Sequence, residues 1–336
     1  MKALEIRTAF GLEHLAVGDR PDPTPGPGQV LVRVRAASLN YRDLLIAKGI
    51  YNPKLQLPRV LGSDAAGDIV AVGAGVARWQ PGDRVAGCFM QHWDDGPITD
   101  AAAKSALGGD RDGVISELAV LDEGGVVSIP AHLSFEEAAA LPCAAVTAWN
   151  ALTAAGTGAG TAVLLQGTGG VSIFALQFAK ALGARALITS GSDEKLGRAA
   201  ALGADAGTNY KTNPDWEKWA RQQTGGTGVD VVVEVGGAGT LDRSLKAVKT
   251  GGHVALIGVL AGAGTVNPMP VLMKAVRLQG VFVGSRAMFE AMNAVIRAKH
   301  IRPVIDRTFS LADAPAAFRH LESGAHFGKV VIAVSK

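Results

Sequence analysis

At 336 residues, 48% of them apolar and 19% charged, the chain holds more material than one hydrophobic core usually organises; two domains are expected and intrinsic disorder is excluded. A net charge of +3, with no basic run or basic amphipathic helix, gives nucleic acid and membrane surfaces no footing and leaves a small molecule as the expected partner. The two cysteines, Cys88 and Cys143, are too few for a disulfide framework or a four-cysteine zinc lobe and are expected as reduced, buried thiols.

The first residues, Met1 to Arg7, carry charges where a signal peptide would be apolar, and no later apolar run reaches about 18 residues, so a cytoplasmic location is expected. The first 125 or so residues read as β-rich: Val30 to Arg35 and Gly67 to Gly73 alternate in polarity, and turns such as Pro21 to Gly28 punctuate them. Between Asp94 and Gly113 small and polar residues predict a long surface loop. From about residue 144 the pattern changes. Ala162 to Leu165 leads into a predicted helix over Val171 to Leu182, and Arg185 to Thr189 into one over Ser192 to Leu202. Further strands are predicted at Val229 to Val235, His253 to Ile257 and Gly280 to Val283. Uninterrupted apolar strands alternating with helices imply a doubly wound α/β domain with a parallel sheet. Two amphipathic helices, Met288 to Lys299 and Ala312 to Ser323, and a strand from Lys329 to Val334 close the pattern.

One segment carries clear chemistry. Gly167-Thr168-Gly169-Gly170-Val171-Ser172 lies between a predicted strand and a predicted helix. There the first glycine permits a tight turn, the second lets backbone approach a pyrophosphate, and the helix start offers unpaired N–H groups. A nicotinamide dinucleotide is the expected cofactor. The next strand ends at Ser190, where an NAD enzyme usually places an acid for the adenosine ribose. Neutral Ser190, with Ser192 and Lys195 just beyond, favours NADPH over NADH, although Asp193 and Glu194 stand close by.

The glycine turn, Asp193-Glu194-Lys195, Leu202-Gly203-Ala204-Asp205, Pro81-Gly82-Asp83-Arg84-Val85 and Gly62 to Gly67 together resemble the medium-chain dehydrogenase/reductase superfamily, in its quinone oxidoreductase-like branch. The resemblance runs from Met1 to the closing His326-Phe327-Gly328-Lys329-Val330-Val331. It implies a GroES-like β-rich catalytic domain built from residues 1–143 and 285–336, a Rossmann domain over 144–284, and an active site where they meet. It also implies Thr147 near the nicotinamide, Tyr210 near the adenosine, and cofactor contacts at Val235, Gly236, Gly258, Val259, Phe282, Val283 and Gly284. A homodimer through Rossmann edge strands is implied as well, with His253 to Ile257 and Val281 to Val283 as the candidate edges.

Matched to the zinc alcohol dehydrogenases of that superfamily, the first cysteine ligand falls on Asn40 and the His-Glu pair on Ser63-Asp64, with only Cys143 at a ligand position. Three N or S ligands are needed for a stable catalytic zinc site, so none is expected. The seven histidines have no ligand spacing and are expected in surface or satisfied core roles, with His92 a candidate substrate contact. Without a Lewis acid, an activated C=C bond or a quinone is the better electronic match, because its developing charge delocalises. By resemblance Tyr51 is the candidate phenol for the substrate oxygen or its proton, Asn40 the orienting amide and Tyr41 the fallback phenol; Asp43 reads as structural. The alternatives are a zinc-independent alcohol dehydrogenase or carbonyl reductase, and an NADPH-binding protein without turnover.

Overall fold

The computed structural model describes every residue except Val259, Leu260, Ala261, Ala263 and Lys336. In chain order the elements are β1 (Lys2–Ile6), β2 (Leu15–Asp19), β3 (Gln29–Leu39), α1 (Tyr41–Ala47), β4 (Arg59–Val60), β5 (Asp64–Val72), β6 (Arg84–Gly87), α2 (Asp100–Ala103), β7 (Leu118–Asp122), β8 (Val126–Ser128) and α3 (Phe135–Ala139). A π-helical turn at Leu141–Ala145 runs into α4 (Val146–Ala154). There follow β9 (Ala162–Gln166), α5 (Gly170–Ala181), β10 (Arg185–Ser190), α6 (Asp193–Ala201), β11 (Ala206–Asn209), α7 (Trp216–Gln223), β12 (Val229–Glu234), α8 (Leu241–Ala247), β13 (Val248–Leu256), α9 (Met269–Met273) and β14 (Arg277–Gly280). The chain closes with α10 (Arg286–Lys299), β15 (Ile305–Ser310), α11 (Ala314–Glu322) and β16 (Lys329–Ala333). Two compact units result, one of Met1–Val146 with Gly284–Lys336, the other of Thr147–Val283.

The first unit is organised around β3. Alternating burial along its first half leaves one face for the core, and Val30 to Ser38 pairs antiparallel with β5. On its other edge, Gln29–Arg33 pairs with β7, and Ala36 to Leu39 pairs with β16 from the far end of the chain. A small sheet, β2-β1-β4, completes the unit. Its core gathers Leu4, Val32, Leu61, Ile115, Phe318 and Ile332 among others, each worth roughly 1.5–3 kcal/mol when fully buried. Helix α3 starts with a reciprocal cap, Glu137 N–H donating to Ser134 Oγ and Ser134 N–H to Glu137 Oε2.

In the second unit all six strands are parallel, in the order β11-β10-β9-β12-β13-β14. That is the 3-2-1-4-5-6 order of a doubly wound Rossmann sheet. Val163, Leu164 and Leu165 of the central β9 are wholly buried, as a strand covered on both faces requires. The order reverses between β9 and β12, so a ligand crevice is expected beyond their carboxyl ends.

Three sequence expectations need correction. The strand predicted at Gly280 to Val283 lies earlier, at Arg277–Gly280, because Val283 turns to φ 58° and cannot extend it. His253 to Ile257 offers no free edge, since β13 is hydrogen-bonded to β12 on one side and β14 on the other; β14 is the outer strand. The stretch from Asp94 to Gly113 is no simple surface loop. It holds α2, capped by Thr99, and then buries Ser105 to Gly109. Its small residues, read as loop chemistry, permit close packing: a Cβ on Gly108 would lie 2.8 Å from the Gly62 carbonyl oxygen. Among the described residues, no helix is long and apolar enough to cross a membrane.

Candidate active site

In the first unit the end of β3 delivers Asn40 into a buried polar chain. Lys329, on β16, is buried, and its Nζ donates to Asn40 Oδ1 at 2.6 Å and to the Leu39 carbonyl at 2.8 Å. Asn40 Nδ2 donates to Ser63 Oγ at 3.3 Å, and Ser63 Oγ donates to Asp64 Oδ1 at 2.8 Å. The other oxygen, Asp64 Oδ2, accepts from Cys143 N–H at 3.1 Å and stands 3.8 Å from Lys329 Nζ. The π-helical turn that carries Cys143 brings this N–H to the carboxylate; such turns recur at functional sites.

Asn40 also precedes α1 as its N-cap: its N–H donates to Asp43 Oδ2 at 2.8 Å and its carbonyl accepts from Asp43 N–H at 2.9 Å, while its side chain bonds to Lys329 and Ser63. Asp43 is fully buried. Desolvation, with the Asp64 charge adding, raises its carboxyl to about 6 against the pull of Arg42, the Asn40 N–H and Lys329.

The donor set does not fit a zinc ion. Asn40 Oδ1 receives the Lys329 ammonium, and Ser63 Oγ accepts from Asn40 Nδ2 and donates to Asp64. A catalytic zinc is held by three thiolate, imidazole or carboxylate ligands, and here Cys143 and Asp64 offer two. Cys88 is buried and its thiol pushed up to about 12 by desolvation, whereas Cys143, expected buried, keeps part of its surface exposed.

Tyr51 lies beyond α1, 43% exposed, with the Arg42 guanidinium 5.0 Å from its ring centroid and 4.7 Å from that of Phe89. Arg42 Nη1 donates to the Leu107 carbonyl, which fixes the guanidinium between the two rings. Tyr41 is exposed. His92 is engaged elsewhere: its Nε2 pairs with Asp122 Oδ2 at 3.0 Å, beside Arg111. His253 departs from the satisfied-core expectation, because among the described residues neither ring nitrogen of this buried side chain has a hydrogen-bond partner.

In the second unit the glycine turn sits where β9 gives way to α5. Gly167 has φ +71° and open space where a Cβ would stand, Thr168 is buried, Gly169 is the N-cap, and Gly170 and Val171 open the helix. Backbone N–H groups beside an unobstructed glycine suit the pyrophosphate of a dinucleotide. Ser172 Oγ donates to the Gln166 carbonyl, pinning helix to strand.

Beneath the turn lies Glu234, fully buried at the end of β12. Its carboxylate accepts from Gly236 N–H, Gly237 N–H, Thr240 Oγ1, Gln166 Nε2 and Ser244 Oγ. Gln166 Oε1 in turn accepts from Val235 N–H at 3.2 Å. The ends of β9 and β12 are thereby locked side by side. Gly258 packs so closely on Val235 that a Cβ would overlap the Val235 carbonyl. Val259 lies outside the described residues.

Ser190 ends β10, buried, its Oγ accepting from Ser192 N–H; Ser192 Oγ caps α6 by accepting from Lys195 N–H. Tyr210 arches over Gly191, where a Cβ would stand 2.7 Å from its hydroxyl and 3.0 Å from Lys211 Cε. Thr147 is buried near the start of α4. Phe282 is exposed, and Val283 donates no side-chain chemistry but offers its carbonyl to Asn150 Nδ2 at 2.8 Å. Gly284 opens the returning segment, where a Cβ would lie 2.7 Å from Val146 Cγ1 and 3.0 Å from Met288 Sδ. The sequence assigns no role to Lys329, Glu234, Gln166, Asn150 or Lys211, although Lys329 stands in the closing motif and Gln166 directly before the glycine turn.

Comparison with known proteins fits both halves. Residues 26–131 match the alcohol dehydrogenase GroES-like domain family and residues 170–298 the zinc-binding dehydrogenase family. A zinc-type alcohol dehydrogenase-like protein of Schizosaccharomyces pombe is 47% identical over 92% of this chain and 91% of its own length. An acryloyl-coenzyme A reductase of Metallosphaera sedula is 31% identical over 93% and 94%. Among solved structures, an alcohol dehydrogenase from Sinorhizobium meliloti superposes with a TM-score of 0.92 at 42% identity, over 99% of this chain and 98% of that one. The chain belongs to the medium-chain dehydrogenase/reductase superfamily, with a GroES-like unit and a Rossmann unit, and is an NAD(P)-dependent oxidoreductase.

Proposed function

We propose that this protein is an NADPH-dependent reductase of an activated C=C bond or a quinone that works without catalytic zinc. The observation that carries the reading is the occupation of the zinc-ligand positions by a hydrogen-bonded Lys329–Asn40–Ser63–Asp64 chain. A relative named for reduction of an acryloyl thioester supports the same class of acceptor. Bound NADPH supplies the hydride. The glycine turn at Gly167 to Val171 holds the pyrophosphate on backbone N–H groups. Neutral Ser190 with Ser192, Lys195, Tyr210 and Lys211 around it suits a 2′-phosphate, which an acid at position 190 would repel. Asn40 donates an amide N–H to the substrate oxygen, and Tyr51 supplies a proton or a second hydrogen bond there. An extended acceptor spreads its developing charge, so neutral donors suffice.

Assembly as a homodimer belongs to the same reading. Among the described residues strand β14 has one edge unpaired in its sheet, and Leu278 on it, with Leu272 and Met273 of α9, is exposed.

The deciding experiment follows NADPH and NADH oxidation with a quinone, an enone, an enal and a saturated ketone, using the parent and Tyr51→Phe. Turnover of the conjugated acceptors, with kcat about 10- to 100-fold lower in the variant, is expected. Turnover of the saturated ketone alone would replace this reading with a zinc-independent carbonyl reductase, and NADPH binding without any turnover would remove the enzyme assignment.

A further inference from the structure

A lysine buried in a catalytic unit, far in sequence from the residues it touches, is a costly arrangement and asks for a reason. Lys329 Nζ makes two inward hydrogen bonds, to the Asn40 amide oxygen and the Leu39 carbonyl, and stands 3.8 Å from Asp64 Oδ2 as an ion pair. The direction of the whole chain follows from chemistry alone. An ammonium can only donate, so the Asn40 oxygen must face Lys329 and its nitrogen must face Ser63; a carboxylate can only accept, so the Ser63 proton points to Asp64. With a cation at one end and an anion at the other, every dipole between them is aligned and each hydrogen bond strengthens the next.

We infer that Lys329 is the resident cation of this site, a positioning residue whose ammonium stands among the residues at the zinc-ligand positions, holds the Asn40 amide in one orientation and polarises it, so that its remaining N–H is a strengthened donor for the substrate oxygen. The charge reaches the reacting oxygen through the amide instead of by direct coordination. This rests on the proposed contact between Asn40 and the substrate oxygen.

The test is a double-mutant cycle with Lys329→Gln, which keeps neutral donors in the same volume, and Asn40→Ala, run on whichever acceptor the parent reduces. Lys329→Gln is expected to lower kcat on the order of 10- to 100-fold in the parent and by less than about twofold when Asn40 is already alanine. The NADPH dissociation constant should stay within about threefold, as befits a residue acting on the transition state. An equal loss in both backgrounds, or unchanged kcat in either single variant, overturns the inference. A readout free of turnover accompanies it. The Asn40 side-chain amide, assigned by its absence in Asn40→Ala, should give a downfield, exchange-protected nitrogen–proton resonance that moves upfield in Lys329→Gln; an unmoved resonance overturns the polarisation. Should Lys329→Gln fail to fold, Asn40→Asp decides instead: it retains the acceptor for Lys329 but removes the amide donor, and should lose about 100-fold in kcat, whereas full activity would refute the amide's role. The failures are distinguishable. A shifted resonance with unchanged kcat in Asn40→Ala removes the substrate contact, while a saturated ketone as acceptor leaves the cycle intact.

Discussion

Asp43 shows what a single buried carboxyl does to this protein. Its folded value of about 6 exceeds the ordinary 3.8, so the neutral form is the one the fold prefers. Its contribution to stability is therefore fully present below about pH 4 and is lost as pH rises through about 6, by roughly 3 kcal/mol at 1.36 kcal/mol per unit. Asp43→Asn keeps an acceptor for the Asn40 N–H and removes the charge. Denaturant titrations should find it more stable than the parent at pH 8, with little gain at pH 4; a variant equally destabilised at both would refute the account. Gly258 makes the opposite point. With no room beside the Val235 carbonyl, Gly258→Ala must push two strand ends apart, and a loss of about 2–4 kcal/mol in unfolding free energy is expected, together with weakened NADPH binding.

At the scale of elements, the strand ends under the glycine turn are held by one side chain. Glu234 satisfies five donors from β9, α8 and the turn after β12. Glu234→Ala leaves them buried without an acceptor, each such loss costing on the order of 1–3 kcal/mol, so the Rossmann unit should melt at markedly lower temperature and lose its affinity for both NADPH and NADH alike. The β10–α6 turn predicts a different pattern. Lys211→Ala should weaken NADPH about tenfold and NADH hardly at all, since a 2′-phosphate is the group a cation there would meet; equal effects on both cofactors would remove Lys211 from that role. These contrasts also show what the sequence reveals. The glycine turn is legible because a positive φ and a small-residue helix start are local demands that restrict residue type. Glu234 and Lys329 are not, because their partners lie 68 and 289 residues away at Gln166 and Asn40, and periodicity says nothing about such distances. The Asp94 to Gly113 stretch misled for a related reason, since small residues serve turns and tight packing equally well.

For the whole molecule, the open edge of β14 carries the dimer proposal. Leu278→Lys with Leu272→Asp should yield a monomer in light scattering while leaving the Rossmann sheet folded; a parent protein that is already monomeric would dispose of it. The most telling global feature is the placement of β16 in the sheet beside β3. On the ribosome the Rossmann unit is complete once Val283 emerges, but the first unit waits for the final strand, which alone brings Lys329 to Asn40. Synthesis thus builds the nucleotide-binding half before it can finish the catalytic one, and a nascent chain acquires its cofactor fold while Asn40 still lacks the cation that orients it.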